Sequence, residues 1–235
     1  MFDQVFYSLT RHNFHFHNVR AELAALDAFL QERGVRARAL VDVGCGDGAI
    51  TSAVGALLDS SELWGIDLNR ALLAHAERRG VRTVCDDMTR MNFSRRFDLV
   101  VCYGCLHHIE DTRRFVRGLA RLSAGHILIV DNTVRPNAWH RVTGSRYFPL
   151  ESSSFPIRSV DEIVASLQAA NCEIVGVRTN RNANFWHDRS FILAAVDPSR
   201  ACPDEAEEPA SMPARAPRRL GPVPTPVPDT GIRHA

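Results

Sequence analysis

The chain has 235 residues, of which 45% are hydrophobic and 23% are charged, and its formal net charge is +1. These values are typical of a globular protein with one well-cored domain, and the balanced charge argues against a general attraction to nucleic acid or to an anionic membrane. All 28 basic residues are arginine, which excludes chemistry that needs a lysine Schiff base or a lysine nucleophile.

The expected compartment follows from the apolar runs and the cysteines. No apolar run approaches the ~18 residues that a membrane helix requires, and the first residues lack a signal-peptide pattern. The six cysteines fall mostly in predicted strands and in the loops that end them, which favours reduced thiols. We therefore expect a cytoplasmic protein, either a monomer or a homodimer, without a membrane partner.

The first 33 residues form the N-terminal segment, whose apolar residues have helical spacing up to Gly34. Its first half is rich in aromatic and histidine side chains, among them Tyr7, His12, Phe14 and His15. A segment ahead of the first strand of an α/β sheet can fold over the carboxyl ends of the strands. We therefore expect residues 1–33 to form a helical lid, while an amphipathic helix with solvent-exposed histidines explains the pattern equally well.

A glycine-rich turn follows the first predicted strand, residues 39–43. Gly44, Gly46 and Gly48 stand at alternate positions between this apolar, β-branched strand and a predicted helix. Glycine suits such a turn because it adopts left-handed dihedral angles and lets a ligand approach bare backbone. The turn is therefore predicted to be a ligand-binding loop.

Two ligand classes bind such a loop, and the acidic residues near it distinguish them. The glycine spacing fits the dinucleotide fingerprint, with Asp67 at the distance expected for a ribose contact. A pyrophosphate, however, would lie beside Asp42 and Asp47, with no arginine in the loop to offset the repulsion. A ligand with an adenosine ribose and a positive sulfonium or ammonium group fits better, which favours S-adenosylmethionine (SAM). A purely structural glycine turn is the third interpretation.

Strands and helices alternate after this loop. The predicted strands span residues 62–67, 81–85, 97–103, 126–130, 172–179 and 189–196, and the predicted helices end near residues 58, 79, 122 and 170. This alternation predicts βαβ units and a parallel sheet. The link between the last two strands is too short for a helical crossover, which predicts an antiparallel hairpin.

Two segments depart from the alternation. Residues 132–157 contain three prolines and several aromatic side chains, including Trp139 and Tyr147, and we expect them to form a substrate-facing insertion. The chain from residue 198 to residue 235 has a different composition, with eight of the twelve prolines beyond residue 200. This composition predicts a disordered tail.

Four motifs occur in an order and at spacings that point to one family. They are Val-Asp-Val-Gly-Cys-Gly-Asp-Gly at 41–48, Gly-Ile-Asp-Leu at 65–68, Cys-Asp-Asp-Met at 85–88, and a run at 97–108 that ends in Leu-His-His. Together they resemble the class I SAM-dependent methyltransferases, and the Leu-His-His ending resembles the small-molecule enzymes related to ubiquinone and menaquinone methyltransferases. The resemblance implies a Rossmann-like α/β fold over residues 34–197, with helices on both faces of a seven-stranded sheet of order 3-2-1-4-5-7-6 in which strand 7 is antiparallel.

The resemblance also implies which residues bind SAM. In such a site Asp42 would lie near the methionine ammonium group, Asp67 would accept hydrogen bonds from both ribose hydroxyls, and Asp87 would accept one from the adenine amino group. Cys102 and Tyr103 would border the methionine moiety and the transferred methyl group. The complete predicted set is Asp42, Gly44, Cys45, Gly46, Asp67, Leu68, Asp87, Met88, Cys102 and Tyr103.

Histidine and aromatic side chains suggest the acceptor site. His107, then His108, then His12 are the candidates for a general base, because a histidine with an ordinary pKa can take a proton near neutral pH. An alternative role for His107 and His108 is to orient the loop before the next helix. The predicted substrate-contacting residues are Tyr7, Phe14, His15, Trp139 and Tyr147. They suggest a small hydrophobic or aromatic acceptor, with O-methylation in specialised metabolism favoured over methylation of carbon or nitrogen.

Three other functions fit part of the same pattern. Cys102 and Cys105, followed by two histidines, suggest zinc or redox chemistry, but no second pair at finger-like spacing accompanies them, so we predict no metal. A nucleic-acid amino-methyltransferase would carry a Pro-Pro-Tyr-type loop where this chain has residues 102–105, so we expect no nucleic-acid partner. A SAM-binding partner protein without transferase activity would also keep Asp42, Asp67 and Asp87. Only an assay of turnover separates such a protein from an enzyme.

Overall fold

A computed structural model of the chain describes residues 16–89, 95–134, 157–180 and 188–197. The helices are α1 (Phe16–Gln31), α2 (Ala49–Leu57), α3 (Arg70–Arg78), α4 (Thr112–Leu122) and α5 (Val160–Ala169), with a 3₁₀ turn at Leu106–His108. The strands are β1 (Ala39–Val43), β2 (Glu62–Asp67), β3 (Arg82–Cys85), β4 (Phe97–Tyr103), β5 (Ser123–Thr133), β6 (Cys172–Asn180) and β7 (Asp188–Val196). Within these ranges, no helix combines the length and the apolar character needed to cross a membrane.

The seven strands form one sheet of order β3-β2-β1-β4-β5-β7-β6. The five strands β1 to β5 are parallel, whereas β7 is antiparallel to both β5 and β6. The predicted strand order and the antiparallel last strand are therefore confirmed. The direction of winding reverses between β1 and β4, and doubly wound sheets bind their ligands at the carboxyl ends of the two strands that flank such a reversal.

Helices cover both faces of the sheet, because parallel strands bury side chains on each side. On one face, α4 and α5 contribute Phe115 and Leu167 to the core. On the other face, α1 and α2 contribute Phe29 and Val54, and the Phe29 ring meets the ring of Phe191 in β7 edge-on at a centroid distance of 5.9 Å. The result is a three-layer arrangement with helices on both faces of the sheet, as the family resemblance implied.

Helix α1 runs antiparallel to the parallel strands. Glu22, in its first half, contacts Tyr103 at the carboxyl end of β4. Beyond its end, the backbone N–H of Arg38 donates to Asp98 near the amino end of β4, at 2.9 Å. The amino end of α1 therefore lies at the edge of the sheet where the parallel strands have their carboxyl ends. Residues 1–15, nearly half of the expected lid 1–33, lie outside the described residues, and the lid stays a prediction.

Strand β5 is longer than its apolar run predicts. The sequence indicated residues 126–130, whereas the strand extends from Ser123, which pairs with Phe97 of β4, to Thr133, which pairs with Asp188 of β7. Two residues at the start of the expected insertion 132–157 thus belong to the sheet. Most of that insertion, including Trp139 and Tyr147, and the expected tail 198–235 lie outside the described residues.

Candidate cofactor and acceptor site

The glycine loop joins β1 to α2, and its three glycines have left-handed backbone conformations. Gly44, Gly46 and Gly48 have φ values of 84°, 54° and 73°. A Cβ atom on Gly44 would also lie 2.9 Å from the Cβ and Sγ atoms of Cys105, closer than real Cβ contacts. Any side chain at position 44 would therefore be strained by its backbone and by the packing of the loop after β4.

Asp42 is a buried carboxylate next to this loop. Its side chain is 1% exposed, and its Oδ2 atom accepts a hydrogen bond from the Thr51 hydroxyl at 2.7 Å. Its other oxygen, Oδ1, has no hydrogen-bond partner among the described residues. Burial, opposed by the Thr51 hydrogen bond, raises the pKa of Asp42 to about 7. A buried carboxylate oxygen without a partner is expensive to maintain, so it fits a site that receives a cationic group.

Asp67, at the end of β2, fixes the glycine loop. Its Oδ2 atom accepts the backbone N–H of Gly46 at 2.8 Å, and its Oδ1 atom accepts that of Asn69 at 2.8 Å. Each carboxylate oxygen can accept a further hydrogen bond, so the predicted ribose contact is compatible with this geometry. The neighbouring Leu68 is 60% exposed, which leaves an apolar side chain at the rim of the site.

The loop after β3 also reaches the glycine turn. The Sδ atom of Met88 lies 3.6 Å from the position that a Cβ atom on Gly44 would take. The Asp87 Oδ1 atom accepts hydrogen bonds from the backbone N–H and the hydroxyl of Thr89, at 2.9 and 2.7 Å. The structure thus brings Met88 to the glycine turn, while Asp87 forms a turn with Thr89.

The structure corrects one step of the charge argument. Asp47 lacks an arginine neighbour in the loop, but Arg79, from the end of α3, donates through Nε to the Asp47 carbonyl at 3.1 Å and places Nη2 at 3.3 Å from Oδ2. Sequence spacing does not show this contact, because the two residues are 32 positions apart. The preference of the loop for a cation therefore rests on Asp42 and not on Asp47.

The cysteines of the motifs are packed into the protein. Cys45 lies against Gly65 of β2, with its Sγ atom 2.5 Å from the position of a Cβ atom there. The Sγ atoms of Cys102 and Cys105 are 3.2 Å apart, and that of Cys105 donates to the Val43 carbonyl at 3.1 Å. The contact with Cys102 and burial raise the pKa of the Cys105 thiol. Among the described residues, no three His, Cys, Asp or Glu side chains are grouped so that they could hold a metal ion.

His107 and Asp131 form a buried pair at the same edge. The 3₁₀ turn after β4 places the His107 Nδ1 atom 3.2 Å from Asp131 Oδ1, at the end region of β5. Asp131 also accepts the backbone N–H groups of Leu106 at 2.6 Å and Asn132 at 2.7 Å. Burial alone would raise the pKa of Asp131, but these donors, His107 first, keep that pKa below its usual value. The ring of His108 lies 4.2 Å from that of His107, centroid to centroid, and is tilted by 43° to it.

A second polar cluster connects α1, β4 and β7. Arg189 donates through Nε to Glu22 at 2.9 Å, the Tyr103 hydroxyl also donates to Glu22, and the Arg189 guanidinium carbon lies 4.6 Å from the centre of the Tyr103 ring. Burial raises the pKa of Tyr103, so its hydroxyl is a neutral donor. Sequence analysis missed Glu22, Arg189 and Asp131. The position of Arg189 in the sequence could have indicated its place in the site. It stands at the start of the predicted antiparallel strand, and such a strand begins at the edge where the parallel strands end.

The predicted cofactor residues therefore lie along one edge of the sheet. They are at or just beyond the carboxyl ends of the adjacent strands β3, β2, β1 and β4, and His107 and His108 follow β4 on the same side. This proximity agrees with the predicted roles, which stay predictions for each residue. The expected acceptor-site residues Tyr7, His12, Phe14, His15, Trp139 and Tyr147 lie outside the described residues.

Comparisons with known proteins agree with this arrangement. Residues 40–124 match a family model described as a methyltransferase domain. The ubiquinone biosynthesis O-methyltransferase of Proteus mirabilis is 27% identical over 132 residues, which are 51% of this chain and 53% of that protein. That of Alkalilimnicola ehrlichii is 30% identical over 125 residues, or 48% of this chain and 50% of that protein. The chain thus spans about half the length of these curated relatives.

Solved structures share the fold at low sequence identity. The magnesium protoporphyrin IX methyltransferase of Synechocystis PCC 6803 with bound SAH has a TM-score of 0.59 and 15% identity, and the match covers 77% of this chain and 84% of that one. The fold of this chain is therefore shared with a protein whose structure holds bound SAH, the demethylated form of SAM.

Proposed function

We propose that the chain is a class I SAM-dependent methyltransferase and that it transfers the methyl group of SAM to a small hydrophobic or aromatic molecule; its methyltransferase-domain match, its O-methyltransferase relatives and its fold support this. We favour an oxygen atom as the acceptor and a role in specialised metabolism, with C- or N-methylation as the alternative. The single observation that carries the proposal is the buried Asp42 carboxylate beside a glycine loop that Asp67 holds in place. When bound, SAM would supply an electrophilic methyl group on a sulfonium.

The residues present fit this cofactor. The Asp42 Oδ1 atom, which lacks a hydrogen-bond partner in the described part of the chain, would accept from the methionine ammonium group. Asp67 would accept from the ribose hydroxyls through its remaining lone pairs. Asp87 and Met88 would hold the adenine, and Tyr103 would border the methionine moiety. Methyl transfer is an in-line displacement, so these residues act mainly by fixing the position of the reacting groups.

Proton removal from a hydroxyl acceptor is assigned to His107. Asp131 is held as a carboxylate by three donors, and it orients the imidazole through Nδ1. In the tautomer with hydrogen on Nδ1, Nε2 is the basic nitrogen that would take the acceptor proton. His108 and His12 follow as candidates. The names of the Proteus and Alkalilimnicola relatives, ubiquinone biosynthesis O-methyltransferase, support oxygen as the acceptor atom.

Calorimetric titration of the purified protein with SAM, SAH and NAD tests the cofactor. We expect micromolar binding of the first two and none of NAD, and binding of NAD alone would overturn the proposal. A panel of phenols, catechols and amines, assayed with SAM carrying a labelled methyl group, then tests transfer. Tight binding of SAM without transfer to any member of the panel would favour a different function, that of a SAM-binding partner protein without transferase activity.

A further inference from the structure

Thr51 is a buried threonine beside the predicted cofactor site. It is the third residue of α2, its side chain is 0% exposed, and its hydroxyl donates to the Asp42 Oδ2 atom at 2.7 Å. A threonine in a helix can instead donate to the carbonyl four residues earlier, here that of Asp47. That carbonyl accepts a hydrogen bond from Arg79 Nε at 3.1 Å. The Thr51 hydroxyl is thus directed away from its own helix and toward Asp42.

The two carboxylate oxygens of Asp42 have different surroundings. Oδ2 is held by Thr51, whereas Oδ1 is buried and has no hydrogen-bond partner among the described residues. A hydrogen bond to one oxygen restricts rotation of the whole carboxylate, so the contact with Thr51 also fixes the position of Oδ1. A hydrogen bond donated to the charged form of an acid favours that form. The single contact with Thr51 therefore both orients the carboxylate and opposes its protonation.

The other groups near Asp42 do not help it to ionise. Burial raises the pKa of Asp42 to about 7, the Thr51 hydrogen bond lowers it, and the Asp67 carboxylate of β2 raises it. The thiols of Cys45, in the glycine loop, and Cys105, after β4, are also close enough to be affected by the charge of Asp42. Burial raises the pKa of Cys45, and the contact with a second thiol, together with burial, does so for Cys105. In the described part of the chain, Thr51 is the one group that favours the charged carboxylate.

We propose that Thr51 is a positioning residue for the cofactor, because its hydroxyl keeps Asp42 ionised and presents the Oδ1 atom to the methionine ammonium group of SAM. The inference rests on the proposed function and adds regulation by pH to that site. Near pH 7, Asp42 is partly protonated in the protein without ligand. SAM binding would then release this proton to the solvent, while the ligand ammonium group keeps its own proton.

The test is calorimetric titration of SAM and SAH into the wild type and its variants between pH 6 and pH 9. Buffers of different ionisation enthalpy give the number of protons that each binding event releases. Thr51→Val removes the hydroxyl and keeps the branched shape of the side chain, and Thr51→Ser restores a hydroxyl. Thr83→Val is the matched control, because the Thr83 hydroxyl donates to the Glu77 carboxylate at 2.6 Å and not to Asp42.

Thr51→Val should bind SAM about tenfold more weakly than the wild type at pH 7, as expected for the loss of one hydrogen bond to a charged group. The loss should become smaller toward pH 9, where the carboxylate forms without help from the hydroxyl. The number of protons released per SAM at pH 7 should be about 0.5 in the wild type and closer to one in Thr51→Val. Thr51→Ser should restore both values, and Thr83→Val should change neither.

Two results of the titration would overturn the proposal. One is a SAM affinity that Thr51→Val leaves unchanged, and the other is a loss of equal size at every pH, which a purely structural role predicts. Circular dichroism checks that each variant folds, and Thr51→Ala, which also lacks the donor, replaces Thr51→Val if that variant does not fold.

Failure of the proposed function has a different signature. If neither SAM nor SAH binds the wild type at any pH, the proposed function is wrong, and the role of Thr51 is decided without ligand. NMR titration of the Asp42 carboxyl carbon, assigned by its absence in Asp42→Asn, then measures the midpoint directly. The midpoint should lie at a higher pH in Thr51→Val than in the wild type, and equal midpoints would overturn the proposal.

Discussion

Replacement of Asp42 by asparagine should separate cofactor binding from stability. Asp42 is 1% exposed, and burial raises its pKa from 3.8 to about 7. A carboxyl group with a raised pKa in the folded state holds its proton more tightly there than in the unfolded chain. Its contribution to the free energy of unfolding is therefore present at low pH and is lost as the pH rises from about 4 to about 7. The full loss corresponds to about 4 kcal/mol.

Asp42→Asn removes this ionisation. Near pH 8 the variant should exceed the wild type in free energy of unfolding by up to about 4 kcal/mol, and near pH 4 the difference should almost vanish. SAM binding should be lost at the same time, because an amide cannot neutralise the ammonium group. Asp98→Asn is the matched control, since Asp98 accepts two backbone N–H groups at the opposite edge of the sheet, at 2.9 Å each. It should leave the affinity for SAM unchanged.

Urea unfolding followed by circular dichroism at several pH values measures the effect on stability. Calorimetric titration with SAM measures the effect on binding. In the wild type, the dissociation constant for SAM should rise about tenfold between pH 7 and pH 5.5, because Asp42 becomes protonated while the ligand ammonium stays charged. A variant that binds SAM as tightly as the wild type, or a stability difference that does not depend on pH, would refute this reasoning.

Three further predictions concern the site and the tail. Asp67→Ala should abolish measurable SAM binding in calorimetry, because it removes the two proposed charge-assisted ribose contacts and the anchor of Gly46; unchanged affinity would exclude Asp67 from the site. Asp131→Asn should lower turnover about 10²-fold or more while SAH affinity stays within twofold, because Asp131 orients the His107 imidazole through Nδ1. Truncation after Val196 should leave turnover unaltered, and a marked loss would show that the tail takes part.

The sequence predicts the sheet well because the signals for it are local. Apolar runs locate the strands, and turn residues end the helices: Asn69 accepts the N–H groups of Ala71 and Leu72 at the start of α3, and Gly80 follows its end with φ 81°. The glycine loop and the acids after β1 and β2 follow from the same local pattern. These features need no knowledge of which distant residues meet.

The polar contacts of the candidate site are not predictable in this way. Glu22 is 81 residues from Tyr103 and 167 residues from Arg189, and His107 is 24 residues from Asp131. Their proximity depends on the strand order and on the antiparallel course of β7, which brings its first residues to the carboxyl edge. A single sequence records which residues are charged, but not which of them become buried partners.

The position of β7 inside the sheet has a consequence for how the protein folds during its synthesis. This strand is the last of those that the structure describes, yet it lies between β5 and β6 and packs Phe191 against Phe29 of α1. During synthesis, α1 therefore lacks the part of its docking surface that β7 supplies until β7 has left the ribosome. Until then that part of the α1 surface and the edge of β5 stay exposed, so we expect nascent chains that stop before residue 188 to depend on chaperones and to aggregate without them.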